Sequence, residues 1–268
     1  MEFRTIVDIP KPAFEIQPCE EILFVGSCFA DEIGQRFRDN GFPVTINPFG
    51  VMYNPASILH TIEKYEGTPH LVFLTLGTNH IYRLKETGEI VDNCEKRPHN
   101  LFQEELLSVD ECVTYLQKAM DVLRQRNPEV KVVLTVSPIR YRKYGYHGSQ
   151  LSKATLLLAA NTVVSNSVDD TCAYFPSYEI LMDELRDYRF YASDMLHPSA
   201  QAVDYIWERL VETYFSSEAK ALLDEWKPLR QALAHKPFHP ESPEYQAFMD
   251  KTMLKLSELR KKYSNFAL

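Results

Sequence analysis

Two nucleophilic side chains, Ser27 and Cys28, stand next to each other in the stretch FVGSCFADEIG, residues 24–34. An apolar run from Ile22 to Val25 reaches Gly26 just before them. Behind them Phe29, Ile33 and Phe37 recur every four residues, the spacing of one helix face. A strand turning sharply into a helix is where enzymes often set a nucleophile. Far downstream, Asp194-Met195-Leu196-His197-Pro198 places a carboxylate three residues before an imidazole, with Pro198 suited to begin a helix. Within one loop such a pair can activate a nucleophile: His197 as base, Asp194 setting its tautomer and stabilising the imidazolium. Two oxyanion donors are available, Asn79 in Gly77-Thr78-Asn79-His80 and the backbone at Gly50 in NPFG (47–50). Each such donor is typically worth about a few kcal/mol in a transition state. Together these parts point to acyl transfer.

Those loops need a scaffold. Apolar runs recur at ILFV (22–25), LVFLTL (71–76), KVVLTV (131–136) and CAYFPSY (172–178), with PVTI (43–46) as a fifth candidate. Runs that are apolar on consecutive positions suit strands buried on both faces of a parallel sheet. Helical patterns at 29–40, 55–65, 108–127, 150–168 and 199–215 alternate with them, the signature of βαβ units in a doubly wound sheet. Ligands of such sheets bind at the carboxyl ends of the strands, and the residues above fall there. After Phe215 only helical stretches follow, AKALLDEWKPLRQALA and YQAFMDKTMLKLSELRKKY, parted by HKPFHPESPE. The chain therefore divides into a main domain, 1–215, and a helical C-terminal extension, 216–268. The second stretch, with Phe248, Met253, Leu254, Leu256 and Leu259 among charges, is amphipathic, and the extension either packs on the main domain or forms a homo-oligomer contact.

Composition narrows the classes. The 268 residues, 45% hydrophobic and 25% charged, can bury a sizeable core. A formal net charge of −8 argues against a nucleic-acid partner. No apolar run is long enough to span a membrane. The N-terminal MEFRTIVDIPKP, interrupted by Glu2, Arg4 and Asp8, has no secretory pattern, so a cytoplasmic location is expected. Cys19, Cys28, Cys94, Cys112 and Cys172 are odd in number and form no Cys-x-x-Cys pair, which reads as free thiols in a reducing compartment. The histidines lack metal-ligand spacing, so neither metal nor cofactor is expected. A nucleotide-binding role is disfavoured because no glycine-rich phosphate loop follows the first strand.

FVGSCFAD, NPFGVMYNP and YFPSYEILMDELRDYRFYASDMLHPS resemble the GSCFA family, named for the pentapeptide at 26–30 and related to the SGNH, or GDSL-like, hydrolases. The resemblance covers most of residues 20–215. It implies an α/β, three-layer flavodoxin-like parallel sheet and ester or acyl chemistry without a metal. It also implies a nucleophile turn at 26–28, oxyanion groups at Gly50 and Asn79, and the Asp-x-x-His pair at Asp194 and His197. Laying Gly-Asp-Ser-Leu-Ser-Asp on residues 26–31 puts Cys28, not Ser27, at the nucleophile; the third block, GTNH, departs mildly from GxND.

The residues themselves favour the same register. A helix beginning near Phe29 makes Ser27 a cap and sets Cys28 where the dipole favours a thiolate, so Cys28 is expected to titrate below a free thiol, with Asp31 and Glu32 opposing. Each remaining candidate has two readings. Asp194 and His197 also fit a helix cap, Gly50 a turn, and Asn79 an Asx-turn; His80 reads as structural. Asn54 and Tyr53 can line the pocket. Arg140 and Lys153 can meet a substrate carboxylate or phosphate, or simply face solvent. The leading function is an esterase, deacylase or acyltransferase acting on a small-molecule or carbohydrate ester through Cys28 (or Ser27), His197 and Asp194. The alternative is a binding protein that keeps the fold without catalysis.

Overall fold

A computed structural model describes residues 4–92, 97–167 and 170–267. In chain order the strands are Ile22–Gly26 (β1), Val44–Ile46 (β2), Leu71–Leu76 (β3), His80–Leu84 (β4), Ile90–Val91 (β5), Phe102–Leu106 (β6), Lys131–Val136 (β7) and Cys172–Tyr174 (β8). The helices are Cys28–Asp39 (α1), Pro55–Lys64 (α2), Val109–Arg126 (α3), Gly145–Ser165 (α4), the short Ser177–Glu179 (α5), Ala200–Tyr214 (α6), Ser217–Ala234 (α7) and Pro243–Lys262 (α8).

All five expected runs enter one parallel sheet in the order β2-β1-β3-β7-β8. This is the flavodoxin-like order, whose switch point lies between β1 and β3. Successive strand residues face opposite layers, as a pleated strand requires. Ile22, Phe24, Leu71 and Phe73 join α1, α6, α7 and α8 on one side. Leu23, Val25, Val72 and Leu74 meet α2, α3 and α4 on the other. Phe24 and Phe73, paired in register, stack at 4.8 Å.

Three features depart from the sequence reading. The strand expected over 172–178 ends at Tyr174, because Pro176 has no N–H for a ladder and the chain turns into α5. Helix α4 starts at Gly145, five residues before the expected 150. Finally, β4, β5 and β6 form a small antiparallel sheet growing from the end of β3.

The C-terminal extension is helical and shares the core of the main domain. Leu222, Trp226, Leu229, Leu256, Leu259 and Phe266 belong to the same buried cluster as Phe24 and Phe37. The Trp226 indole N–H donates to the Asp39 carbonyl at 2.7 Å, and the Phe266 ring packs edge-on against it. Among the described residues no helix is long and apolar enough to cross a membrane. Cys19, Cys28, Cys112 and Cys172 are free thiols; Cys94 lies outside the described residues.

Candidate active site

The turn after β1 depends on close backbone approach. Gly26 has φ +144°, and a Cβ there would lie 2.2 Å from the Thr75 carbonyl oxygen, so only glycine lets β1 run this close to β3. Its N–H donates to Asn47 Oδ1 at 2.9 Å. Asn47 is left-handed, φ +42°, a region its short polar side chain tolerates, and its Nδ2 donates to Asp31 at 2.8 Å. One side chain thus fastens the end of β1 to the first turn of α1. The sequence reading passed over Asn47, although an asparagine in a turn directly after a strand was a usable signal.

Ser27 is completely buried and caps α1. Its Oγ accepts the Phe29 N–H at 3.3 Å and lies 3.3 Å from Thr75 Oγ1. The neighbouring Cys28 is partly exposed, with Sγ 3.9 Å from the Tyr53 hydroxyl. The expectation of a thiol titrating below the ordinary value is corrected. Burial pushes the Cys28 thiol up; the Tyr53 hydrogen bond pulls it down, and Asp31 and Glu32 push it up again. Desolvation together with two nearby carboxylates outweighs the Tyr53 and backbone hydrogen bonds that favour the thiolate.

Asp194 and His197 are joined by a 2.6 Å bond between Oδ2 and Nδ1. Asp194 Oδ1 also accepts the backbone N–H groups of Leu196 (2.8 Å) and His197 (3.0 Å). These backbone donors, with the imidazole after them, hold the Asp194 carboxyl far below the usual carboxylate range. The loop hangs from Arg140, just beyond β7: the Arg140 N–H donates to Leu196 O and its Nη1 to Met195 O. The guanidinium stacks over Tyr146 and Tyr191 at 4.3 and 5.0 Å. Arg140, read as a substrate contact, braces the Asp194–His197 loop. No hydrogen bond joins His197 to Ser27 or Cys28; all three stand at the carboxyl edge of the sheet.

The segment 47–54 forms the floor between β1 and β3. Met52 N–H donates to Gly26 O, and the Tyr53 carbonyl accepts from both Gly77 and Thr78. Gly50 closes a turn here, its N–H donating to Asn47 O at 2.8 Å, so the expected oxyanion donor is already engaged. Asn54, expected to bind substrate, is buried and caps α2 by accepting the Ser57 N–H at 2.9 Å. Asn79 Nδ2 donates to Leu107 O at 2.7 Å, which leaves one side-chain N–H uncommitted. His80 pairs with Glu104 at 2.9 Å and stacks on Tyr144.

Lys153 departs furthest from its two readings. It is neither solvated nor open to a substrate: it is 2% exposed, and its Nζ donates to Gly77 O and Ser137 O, both at 2.7 Å. It ties the ends of β3 and β7 together, and burial pushes its pKa down to about 7. Among the described residues no group of three or more His, Cys, Asp or Glu side chains converges as a metal site would.

The GSCFA family model matches residues 21–70 and 66–210, and a second model, GSCFA domain protein, C-terminal domain, matches residues 226–268. No curated protein matches the sequence. Among solved structures the chain is similar to a Streptococcus pneumonia protein described under platelet activating factor, at 18% identity and a TM-score of 0.50, over 75% of this chain and 85% of that one. It is also similar to a GDSL-like lipase from Bacteroides thetaiotaomicron (15% identity, TM-score 0.47, 76% of this chain and 88% of that one). A variant of an acetyl-xylooligosaccharide esterase from Geobacillus Stearmophilus matches at 13% identity and a TM-score of 0.47, over 76% of this chain and 98% of that one. At such identities the likeness is one of fold alone.

Proposed function

This chain belongs to the GSCFA family, and on that premise we propose that it is a metal-independent acyl-handling enzyme, an esterase, deacylase or acyltransferase. Cys28 is the nucleophile, His197 the base and Asp194 its partner. The substrate is a small-molecule or carbohydrate ester. The observation that carries this reading is the 2.6 Å Asp194–His197 pair, suspended by Arg140 on the carboxyl edge that also bears Cys28.

In the proposed reaction His197 takes the Cys28 proton as Sγ attacks the substrate carbonyl carbon. The C=O π pair moves onto oxygen, where the free Asn79 N–H donates to it. Collapse restores the carbonyl and breaks the bond to the leaving group, which receives the proton from His197. Water or an acceptor hydroxyl then attacks the resulting thioester, its proton passing through His197 back to Sγ. Ser27 takes no part in this scheme, because its oxygen is occupied by the cap of α1.

The test is labelling with an activated ester, read by intact mass. A single acyl group on Cys28, lost in Cys28→Ala and not turned over in His197→Ala, is the expected result. A protein that hydrolyses esters equally well without His197 has no triad. Product analysis with and without an acceptor alcohol separates hydrolysis from transfer. One observation favours the rival reading of a non-catalytic binding protein: the Cys28 thiol is pushed up, not down. Saturable ester binding without label or turnover is what that reading requires.

A further inference from the structure

Tyr141, in the loop after β7, is half-buried as a residue and carries a hydroxyl oxygen that is buried and has no hydrogen-bond partner. An unpaired buried hydroxyl forfeits about 1–3 kcal/mol, so in a native fold such a group calls for an explanation. Its location supplies one. A Cβ built on Gly77 would lie 2.4 Å from the Tyr141 hydroxyl and 3.4 Å from the Ser27 Cβ. The hydroxyl therefore sits over the glycine that separates the end of β3 from the nucleophile turn. Tyr53, whose own hydroxyl lies 3.9 Å from Cys28 Sγ, packs edge-on against the Tyr141 ring at 6.0 Å.

Several other donors around this point are committed. Gly77 and Thr78 N–H donate to Tyr53 O, Gly50 N–H donates to Asn47 O, and Asn79 N–H donates to Ser152 Oγ. Lys153 Nζ donates to the carbonyls of Gly77 and Ser137. Beside the one free Asn79 side-chain N–H, the Tyr141 O–H is a second buried donor left without a partner.

We propose that Tyr141 is a catalytic residue whose hydroxyl donates a hydrogen bond to the acyl carbonyl oxygen as it becomes negatively charged under attack by Cys28. The inference rests on the acyl-transfer reading of this site. Tyr141 transfers no proton: the Sγ–C bond forms, the C=O π pair moves to oxygen, and the phenol O–H points at that oxygen until collapse returns the pair. Burial raises the Tyr141 phenol well above its ordinary value, with Tyr53 and Cys28 adding to the rise, so its proton stays in place to be donated. A donor needed chiefly when charge develops is left unpaired at rest, and this accounts for the orphaned hydroxyl.

The test compares wild type with Tyr141→Phe, which removes one oxygen and keeps the ring packing. kcat for p-nitrophenyl acetate and for an acetyl thioester should fall about 100-fold or more, with KM changed less than about threefold, as expected of a contact made in the transition state. Thermal stability should not fall, because no hydrogen bond is lost. Alkylation of Cys28 by iodoacetamide, which creates no oxyanion, should keep its wild-type rate. A wild-type kcat in Tyr141→Phe, while wild-type protein still acylates at Cys28, overturns the donor role and leaves the acyl-transfer reading standing. Alkylation slowed in parallel with kcat also overturns it, since the hydroxyl would then act on the thiol. Wild-type protein that neither labels nor turns over any ester or thioester removes the acyl-transfer reading, and this inference with it.

Discussion

Ser27 and Cys28 are adjacent, yet removing each should have opposite consequences. Ser27→Ala deletes the cap of α1, a loss of about 1 kcal/mol. It also leaves Thr75 Oγ1, 3.3 Å from Ser27 Oγ and in a residue 1% exposed, without that partner, for a further cost of about 1–2 kcal/mol. The sum, about 2–3 kcal/mol, should lower Tm by about 5–10 °C in a chain of this size. Turnover, measured well below the melting range, should stay within about threefold of wild type. Cys28→Ala removes a partly exposed thiol whose recorded polar contact is the 3.9 Å approach to Tyr53. It should shift stability by less than about 1 kcal/mol and abolish activity, a loss of at least about 10⁴-fold. Thermal melts, ester turnover and intact-mass labelling of the two variants make the comparison. Ser27→Ala that melts like wild type but no longer labels would refute the reasoning, because the buried hydroxyl would then be the nucleophile and its cap dispensable.

The pH dependence of Cys28 alkylation should follow a thiol pushed up by burial: the rate rises with pH through a midpoint above the free-thiol value of about 8.5, and a midpoint below it would return the helix dipole to dominance. Asn79→Ala should cut kcat about 100-fold and lower stability by about 1–3 kcal/mol through the stranded Leu107 carbonyl; a change in KM alone would make Asn79 a binding residue. Lys153, at about 7 when folded against about 10.4 unfolded, is deprotonated in the folded chain but not the unfolded one between those values, so it makes stability rise with pH by up to about 1.4 kcal/mol per unit. Subtracting the pH 7 to 8.5 stability curve of Lys153→Met from that of wild type should expose this slope, and identical slopes would dismiss it. Truncation after Phe215 removes Leu222, Trp226, Leu229, Leu256, Leu259 and Phe266 from the core, about 9–18 kcal/mol at about 1.5–3 each. That matches a whole domain's net stability of about 5–15 kcal/mol, so the truncated chain should not fold; a soluble 1–215 fragment with native circular dichroism would show the extension to be separable.

The central sheet was legible because burial on both faces writes a local signature: Leu71 to Leu76 are all buried, so every position is apolar or threonine. The antiparallel sheet leaves no such mark. Phe102–Leu106 presents Gln103, Glu104 and Glu105 beside one buried phenylalanine, and Ile90–Val91 is too short for a period to show. The same contrast holds in the site. Asp194 and His197 are three residues apart, so their bond is a local event that spacing can announce. Lys153 is governed by carbonyls 76 and 16 positions away, and nothing in its own helix distinguishes it from a solvated lysine. Asn47 reaches 21 positions back to Gly26. Tyr141 meets Gly77 only because β3 and β7 are neighbours. Polar side chains that work through distant backbone are visible only once the strand order is known.

A raised thiol pKa lowers the thiolate population of Cys28, yet the magnitudes leave it a competent nucleophile. Each unit of elevation removes a factor of about 10 from the thiolate population at neutral pH. It also makes the thiolate that does form intrinsically more reactive: with a Brønsted coefficient of about 0.4–0.5, about a factor of three returns. The net handicap is about threefold per unit. A base positioned to take the proton during attack contributes about 10²–10⁴, which exceeds the handicap of a modest elevation. The scheme then requires a base whose protonated form is stabilised as it appears. Asp194 meets that condition, because the Leu196 and His197 N–H groups keep it ionised independently of the imidazole. Burial of Cys28 and the ionised Asp194 are therefore complementary: the thiol rests protonated, safe from adventitious alkylation, and gives up its proton when a carbonyl is in place to receive the sulfur.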